Sequence, residues 1–454
     1  MRASTVVIRQ TCCPVALLVT IVLGGCRAPE LRGEARSPGV DPMLSVNTLI
    51  RAPVDFAARR IGSPDYPIPP YARFLEGVKI CLDPGHGGDA YKRGYKRGST
   101  GVREAEVNLR VAKYLREFLA QVGAEVLLTR EADVDLSLVD RAAVANDWGA
   151  DLFISLHHNA VDNRPHVNYT TVWYHNDVDY RPSNLDLARY LCDGLYDALA
   201  LAQITDVPLK SDQLMYQTGF AVLRHADVTA ALTESSFFTN PEEEQRLRDP
   251  EYNLLEAYGL FIGLAKYAAA GLPKACLIDP EDGSVYRDSE QSPKRKRGNG
   301  GAGPLTAANN RSPERKHADT PAPEKPVAGA PGSAAPGAGA PPLPGVGDRF
   351  EDGTVPPSEV HPSSGTMRVV FELDDGLRWR QAWGHERRMI LSDSLAVRLD
   401  DEIAPFAFSD DGERYLLTVS LPPELEAGEH HVEVHFQNMH KNSVLNPHFV
   451  IEVR

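Results

Sequence analysis

The stretch Val78-Lys79-Ile80-Cys81-Leu82-Asp83-Pro84-Gly85-His86-Gly87-Gly88 decides the reading of this chain. Its first five residues have the apolar pattern of a buried strand, and Pro84-Gly85 ends it abruptly, leaving His86 at the carboxyl end. In open α/β sheets, ligands and reactive groups gather along that edge. Glycines on both sides of His86 remove side-chain bulk, so another group can approach the imidazole closely.

Outward from this strand, apolar runs and helical periodicities alternate to about residue 270. Leu109, Ala112, Leu115, Leu119 and Val122 recur at helical spacing ahead of Gly123, and Glu125 to Thr129 reads as the next strand. Leu138, Ala142 and Ala145 mark a helix ended by Gly149, and Leu152 to Leu156 is a further buried strand. Thr170 to Tyr174, Phe220 to Leu223 and Ala230 to Thr233 add strand expectations; Leu185 to Leu201 and Asn253 to Ala270 read as helices. The alternation predicts an α/β domain over 76–272, with a mixed, mostly parallel sheet and helices on both faces. Between Tyr286 and Phe350 there is no Phe, Tyr or Trp, and Ala, Pro and Gly dominate Val327 to Gly345, so 273–365 is read as a disordered linker. Short β-type runs at Val369–Leu373, Ala396–Leu399, Tyr415–Leu421, His430–Phe436 and Phe449–Val453 predict a small all-β, sandwich-like domain over 366–454.

The 454 residues suit two domains, 42% hydrophobic content allows real cores, and a formal charge of -14 argues against a nucleic-acid binder. Arg2 and Arg9 precede an apolar run from Val15 to Val22 and then Leu23-Gly24-Gly25-Cys26. Residues 1–25 therefore read as a signal peptide, with an apolar core too short for a membrane span. The last four residues resemble a bacterial lipobox, which implies cleavage before Cys26, its acylation, and a polar tether over 26–75. The resulting expectation is a lipoprotein held to a membrane of the cell envelope, on the periplasmic side; Arg27 rather than Asp favours the outer membrane by analogy with other lipoproteins. Of six cysteines, only Cys81, Cys192 and Cys276 lie beyond Cys26, with no CxxC spacing, so neither a cysteine zinc knuckle nor a disulfide framework is expected.

Three later segments add chemistry to His86. Arg103-Glu104-Ala105-Glu106 places Glu104 at a helix start, where the helix dipole alone would favour a carboxylate. Leu152-Phe153-Ile154-Ser155-Leu156-His157-His158-Asn159 delivers histidine at the carboxyl end of a strand; alternation sends His157 and His158 to opposite faces, so one of them can reach His86. Ala230 to Asn240 is an apolar strand ending in Glu234. Two histidines, one carboxylate and no cysteine cluster suit a zinc site of the His2Glu type with a position open for water, and a nearby acid can move that water's proton.

His86 in DPGHGG, Glu104 at the helix start, His157 in SLHxN and Glu234 in ExxFxTN occur in the order seen in zinc-dependent N-acetylmuramoyl-L-alanine amidases, and the chain resembles the type 3 family of these bacterial hydrolases. Thr129-Arg130, Leu138 and Arg141 are similar to a further stretch of that family, and the resemblance spans about 78 to 270. It implies that His86, Glu104 and His157 bind zinc, that Glu234 is the catalytic acid/base, and that peptidoglycan of the cell wall is the substrate. Asn159 and Arg141 are candidate substrate-binding residues, although Arg130 and Arg141 equally suit structural ion pairs. Ala105 stands where many members have Lys and Ser236 where they commonly have Gly; Gln203 to Gln217 looks longer than needed, as a substrate-shaping loop or a lid would. Two competing readings are a non-catalytic peptidoglycan-binding envelope lipoprotein and a zinc peptidase acting on free peptides; no HExxH helix is present. The all-β domain holds no catalytic constellation, and its place beyond a long linker suggests recognition of a glycan or an envelope partner.

Overall fold

A computed structural model describes residues 66–92, 94–203, 205, 207–280, 283–285, 367–378, 389–410 and 414–454. The signal segment, Cys26 and most of the tether and linker lie outside these residues. No helix among them is long and apolar enough to cross a membrane.

The first sheet has strands β1 (Lys79–Pro84), β2 (Glu125–Leu128), β3 (Leu152–Asn159), β4 (Thr171–Tyr174), β5 (Leu209–Ser211) and β6 (Thr229–Phe237), in the order β2-β1-β3-β6-β4-β5. β2, β1, β3 and β6 run parallel, while β4 pairs antiparallel with β6 and carries β5 beside it. Helices α1 (Glu104–Gln121), α2 (Leu138–Trp148), α3 (Ser183–Leu199), α4 (Ala221–Arg224), α5 (Pro241–Arg248) and α6 (Pro250–Ala269) complete the domain. Strand alternation divides the apolar residues between two cores. Ile80, Leu82, Leu152, Ile154 and Ala231 face the larger core with α1, α3 and α6, whereas Cys81, Phe153, Ala230 and Leu232 face a smaller one with α2 and α4. The expected mixed, mostly parallel sheet covered on both faces is the fold observed.

Three expectations need correction. Phe220 to Leu223 is not a strand: Ala221–Arg224 is a single helical turn, whose Val222 and Leu223 enter the smaller core. A run of four apolar residues satisfies either geometry, so its composition could not separate them. The domain also starts before 76, because Pro70–Leu75 forms a 3₁₀ helix that buries Tyr71, Ala72, Phe74 and Leu75, and Tyr66 packs on Phe118 and Tyr258. Finally, the segment after 273 is not linker at its start. β7 (Lys274–Asp279) and β8 (Ser284–Val285) each form one edge of a sheet in the second domain.

That domain is a sandwich. One sheet runs β12 (Phe406–Asp410), β13 (Tyr415–Ser420), β9 (Arg368–Asp374), β7; the other runs β11 (Glu402–Ile403), β10 (Ala396–Leu399), β14 (Gly428–His435), β15 (His448–Val453), β8. Phe371, Leu417, Val419, Val432, Val434 and Ile451 fill its interior. It docks on the first domain rather than hanging from it. Leu377, Met389 and Leu445 join the larger α/β core, Asn438 Nδ2 donates to Ala270 O (2.8 Å), Asn442 Nδ2 to Gly271 O (2.8 Å), and the Ser443 amide to Asp186 Oδ2 (2.9 Å). Lys274 pairs with Asp151 just ahead of β3, and Leu445 O lies against Thr229 at the start of β6. Among the described residues, these contacts lie at the amino edge of the parallel strands, opposite the carboxyl edge.

Candidate functional site

The carboxyl edge brings together the residues that the motifs mark. β1 ends at Pro84, and Gly85 takes the chain past the ring of His157: a Cβ there would lie 2.2–2.6 Å from three imidazole atoms. The close approach anticipated for a Gly-flanked histidine is thus made by a second histidine. His86 follows with φ +59, a left-handed conformation costly for a side chain-bearing residue. Arg141 Nη2 holds it there by donating to His86 O (2.8 Å).

Glu104 opens α1 and is buried, 1% exposed. Its Oε1 lies 3.1 Å from His86 Nε2 and 3.1 Å from His157 Nδ1, and the two rings meet edge to face with centroids 4.8 Å apart. Burial alone would raise the Glu104 carboxyl, but the imidazoles of His86 and His157, with Lys96, outweigh it and hold the group well below the usual range. Burial pushes His157 down to about 4, so its ring is neutral at ordinary pH and has a lone pair to offer a metal. One ligand atom from each of His86, Glu104 and His157 lies within 4.8 Å of the others, the one such cluster among the described residues. Glu104 Oε2 is buried with no hydrogen-bond partner. Two imidazoles and one carboxylate, with an oxygen left without a hydrogen bond, fit a divalent ion with ligand bonds of about 2.0–2.2 Å.

His157 and His158 do point opposite ways. His158 enters the helix-covered side, where Nε2 faces Glu256 Oε2 (3.1 Å) and Nδ1 faces Asn108 Oδ1 (2.8 Å). Asn108 Nδ2 donates to Gly85 O (3.2 Å), which fixes the amide so that its oxygen meets the imidazole. Both ring nitrogens therefore donate, as an imidazolium does. Burial opposes that charge, yet Glu256 outweighs it and raises the group. The His158 amide also donates to Glu104 Oε1 (3.2 Å), so it steadies the cluster without joining it.

Glu234 is the register partner of His157 across the parallel pair β3–β6, and the two side chains share a face of the sheet. It is half-buried, and its Oε2 has no hydrogen-bond partner. Burial, then the neighbouring Glu104, push its carboxyl up to about 8. Such a group can both take and return a proton near neutrality.

Two other expectations fare differently. Asn159 stands where β3 bulges against β6, and its Oδ1 accepts from the Ala160 amide (2.8 Å). Arg141 is not a surface ligand. It is 2% exposed, its Nη1 donates to Asp83 Oδ1 (2.8 Å) and Pro84 O (2.9 Å), and the structure gives it no free donor face for substrate. Arg130 is likewise internal, bonding Pro84 O, Gly85 O and Ala105 O. The structural ion pair weighed for these arginines is made by Arg141 with Asp83, whereas carbonyl oxygens hold Arg130. Within Gln203–Gln217, residues 209–211 form β5, and Lys210 lies over the rings of Tyr169 and Trp173, so part of this stretch extends the sheet. Ser236 is buried in β6, and His175 pairs with Asp212 (2.7 Å).

Two imidazoles and two carboxyl groups, set at the carboxyl edge of an α/β sheet, are groups that could serve a metal-assisted hydrolysis. Residues 80–264, most of the α/β domain, match the N-acetylmuramoyl-L-alanine amidase family. A similar relative is "Probable cell wall amidase LytH" of Staphylococcus aureus, 30% identical over 196 residues, which are 43% of this chain and 60% of that protein. Its Staphylococcus epidermidis counterpart is 28% identical over 193 residues and 59% of its length. The chain thus spans about 60% of the length of these curated relatives. Among solved structures, N-acetylmuramoyl-L-alanine amidase AmiC2 of Nostoc punctiforme is 30% identical with a TM-score of 0.37, covering 42% of this chain and 98% of that one.

Proposed function

We propose that this chain is a zinc-dependent N-acetylmuramoyl-L-alanine amidase, hydrolysing the amide between the lactyl group of N-acetylmuramic acid and the L-alanine of peptidoglycan stem peptides. The observation that carries the reading is the meeting of His86, Glu104 and His157 beside Glu234 at one sheet edge. When bound, zinc supplies Lewis-acid polarisation of an amide carbonyl and of water. The rest falls to the chain. His86 and His157 offer ring nitrogens, and Glu104 offers a carboxylate kept ionised. Glu234 takes a proton from the attacking water and returns it to the departing nitrogen of L-alanine, the step an amide needs because its amine is a poor leaving group. We further propose that the protein works in the cell envelope, anchored through a lipid on Cys26, and that the outer membrane is its location.

Zinc-loaded protein is incubated with purified peptidoglycan. The expected products are glycan strands with free lactyl carboxylates and peptides with free L-alanine amino termini. Glu234→Gln is expected to retain zinc and lose about 10²–10⁴-fold in rate. New reducing sugar ends, or a normal rate from Glu234→Gln, would overturn the assignment.

A further inference from the structure

Glu104 has to start α1 at one defined residue for its carboxylate to meet His86 and His157. The helix has no cap of its own to set that start: its N-cap is Arg103, whose side chain makes no capping bond. What fixes it is a closed loop. The Glu104 amide donates to Lys96 O (3.0 Å), Arg97 bridges Arg103, and the Gly98 amide donates to Val102 O (3.0 Å). Residues 96–104 are thereby tied at the base, the Gly101 amide donates to Gly98 O (3.1 Å), and the Thr100 and Val102 amides bond outside the loop.

The Thr100 and Val102 amides are met by a carboxylate 144 and 142 residues away. Glu244 lies in the first turn of α5, 0% exposed, on the helix that directly follows β6 and its Glu234. Its Oε1 accepts from the Thr100 amide (2.9 Å) and the Val102 amide (3.1 Å); its Oε2 accepts from the Thr100 amide (2.9 Å) and Ser99 Oγ (3.0 Å). The fit leaves no slack, since a Cβ on Gly98 would stand 2.2 Å from the Glu244 carboxyl carbon. Burial would raise this carboxyl, but the donors of Thr100, Val102 and Ser99 outweigh it and keep it below the usual range. On the same helix, Gln245 Nε2 and Arg248 Nη2 hold Thr100 Oγ1 (3.1 and 2.8 Å).

We propose that Glu244 is a positioning residue for the metal centre: by filling the 96–104 loop it sets the start of α1 and holds Glu104 in its metal-binding position before the metal arrives. The inference rests on the metal-site reading above and extends it to a residue outside the motif set. Removing groups that orient metal ligands typically weakens metal binding by about 10–100-fold.

The test measures zinc affinity by competition with a chromophoric chelator, on the full chain. Wild-type protein that binds no zinc would refute the metal site itself; the ratio between variant and wild type tests Glu244. Glu244→Ala and the milder Glu244→Gln are expected to bind zinc about 10–100-fold more weakly. Gly98→Ala, which attacks the same contact from the loop side, is expected to do likewise. Glu243→Gln is the control for general loss of stability. Glu243 is equally buried on the same turn, but it bonds Asn168, Arg246 and Tyr252 rather than the loop. Its variant should melt lower and keep wild-type zinc affinity. A second reading needs no substitution: in metal-free wild type, the Thr100 and Val102 amides should be protected from hydrogen exchange. Wild-type zinc affinity in the Glu244 variants, equal loss in Glu243→Gln, or freely exchanging Thr100 and Val102 amides would each overturn the proposal.

Discussion

Replacing Arg141 by Met separates a strut from a substrate ligand. The guanidinium donates to Asp83 Oδ1, Pro84 O and His86 O, all inside the protein. Asp83 retains two donors after the change, Thr129 Oγ1 (2.6 Å) and Ser155 Oγ (2.7 Å), but its charge is left buried without its ion-pair partner. Removing one member of a buried pair costs about 3–5 kcal/mol. At about 2–4 °C per kcal/mol for a body of this size, Tm should fall by about 6–20 °C. The loss should depend on pH in one direction. Burial works against the Asp83 charge, yet Arg141 with Thr129 and Ser155 outweighs it and holds the carboxyl below its usual value. The stabilisation is thus present above the unfolded carboxylate pKa of about 3.9 and is lost as pH falls through the lower folded value. The assay is thermal unfolding of wild type and Arg141→Met from pH 7 to 3, with a double variant also carrying Asp83→Asn, which should regain part of the loss. An Arg141→Met protein that melts like wild type but shows a raised KM for peptidoglycan would refute this reasoning and restore Arg141 to the substrate.

Glu234 gives the opposite pH sign. With its carboxyl raised to about 8 by burial and Glu104, the metal-free protein should lose stability as pH rises from about 4.5 to 8, and Glu234→Gln should flatten that slope in thermal melts. Asn438→Ala removes buried donors to Ala270 O and Asp375 O, and should lower stability by about 1–3 kcal/mol in chemical denaturation while leaving the low-temperature rate per zinc unchanged. A chain ended at 275 retains only the first two residues of β7 and uncovers the apolar contacts of Leu377, Met389 and Leu445; it should melt far below the full chain, and an equal Tm would argue against a shared core. Cys26→Ala should abolish incorporation of labelled fatty acid, and an envelope-bound native protein with an unmodified Cys26 would refute the proposed anchor.

The motifs made the site legible because catalytic chemistry constrains residue type at short range. His86 follows β1, Glu104 begins α1, and His157 and Glu234 lie in the carboxyl-terminal halves of β3 and β6; strand alternation alone separated His157 from His158. Long-range partners were not legible in the same way. Nothing near Arg141 announces that it will meet Asp83, and Glu244 looks like one of three consecutive acids until α5 turns it toward the 96–104 loop. The fold shows the same division. The parallel strands were visible as apolar runs, whereas β7 and β8 were lost in a stretch read by its overall composition. Their identity depends on pairing with β9 and β15, almost 100 and more than 160 residues onward.

The pairing of β7 with β9, and of β8 with β15, alters what residues 286–366 connect. Both ends of that segment start from strands of one sandwich, which is itself seated on the α/β domain. Its length therefore does not govern how far the two domains can separate. It acts as a loop closed on a single body, where doubling the length changes the closure free energy by only about 0.6 kcal/mol. A protease cutting there would open the covalent chain without releasing a domain: β7 and β8 would stay with the amino-terminal fragment and remain strands in a sheet completed by the other. The two fragments should elute together under native conditions and part only in denaturant.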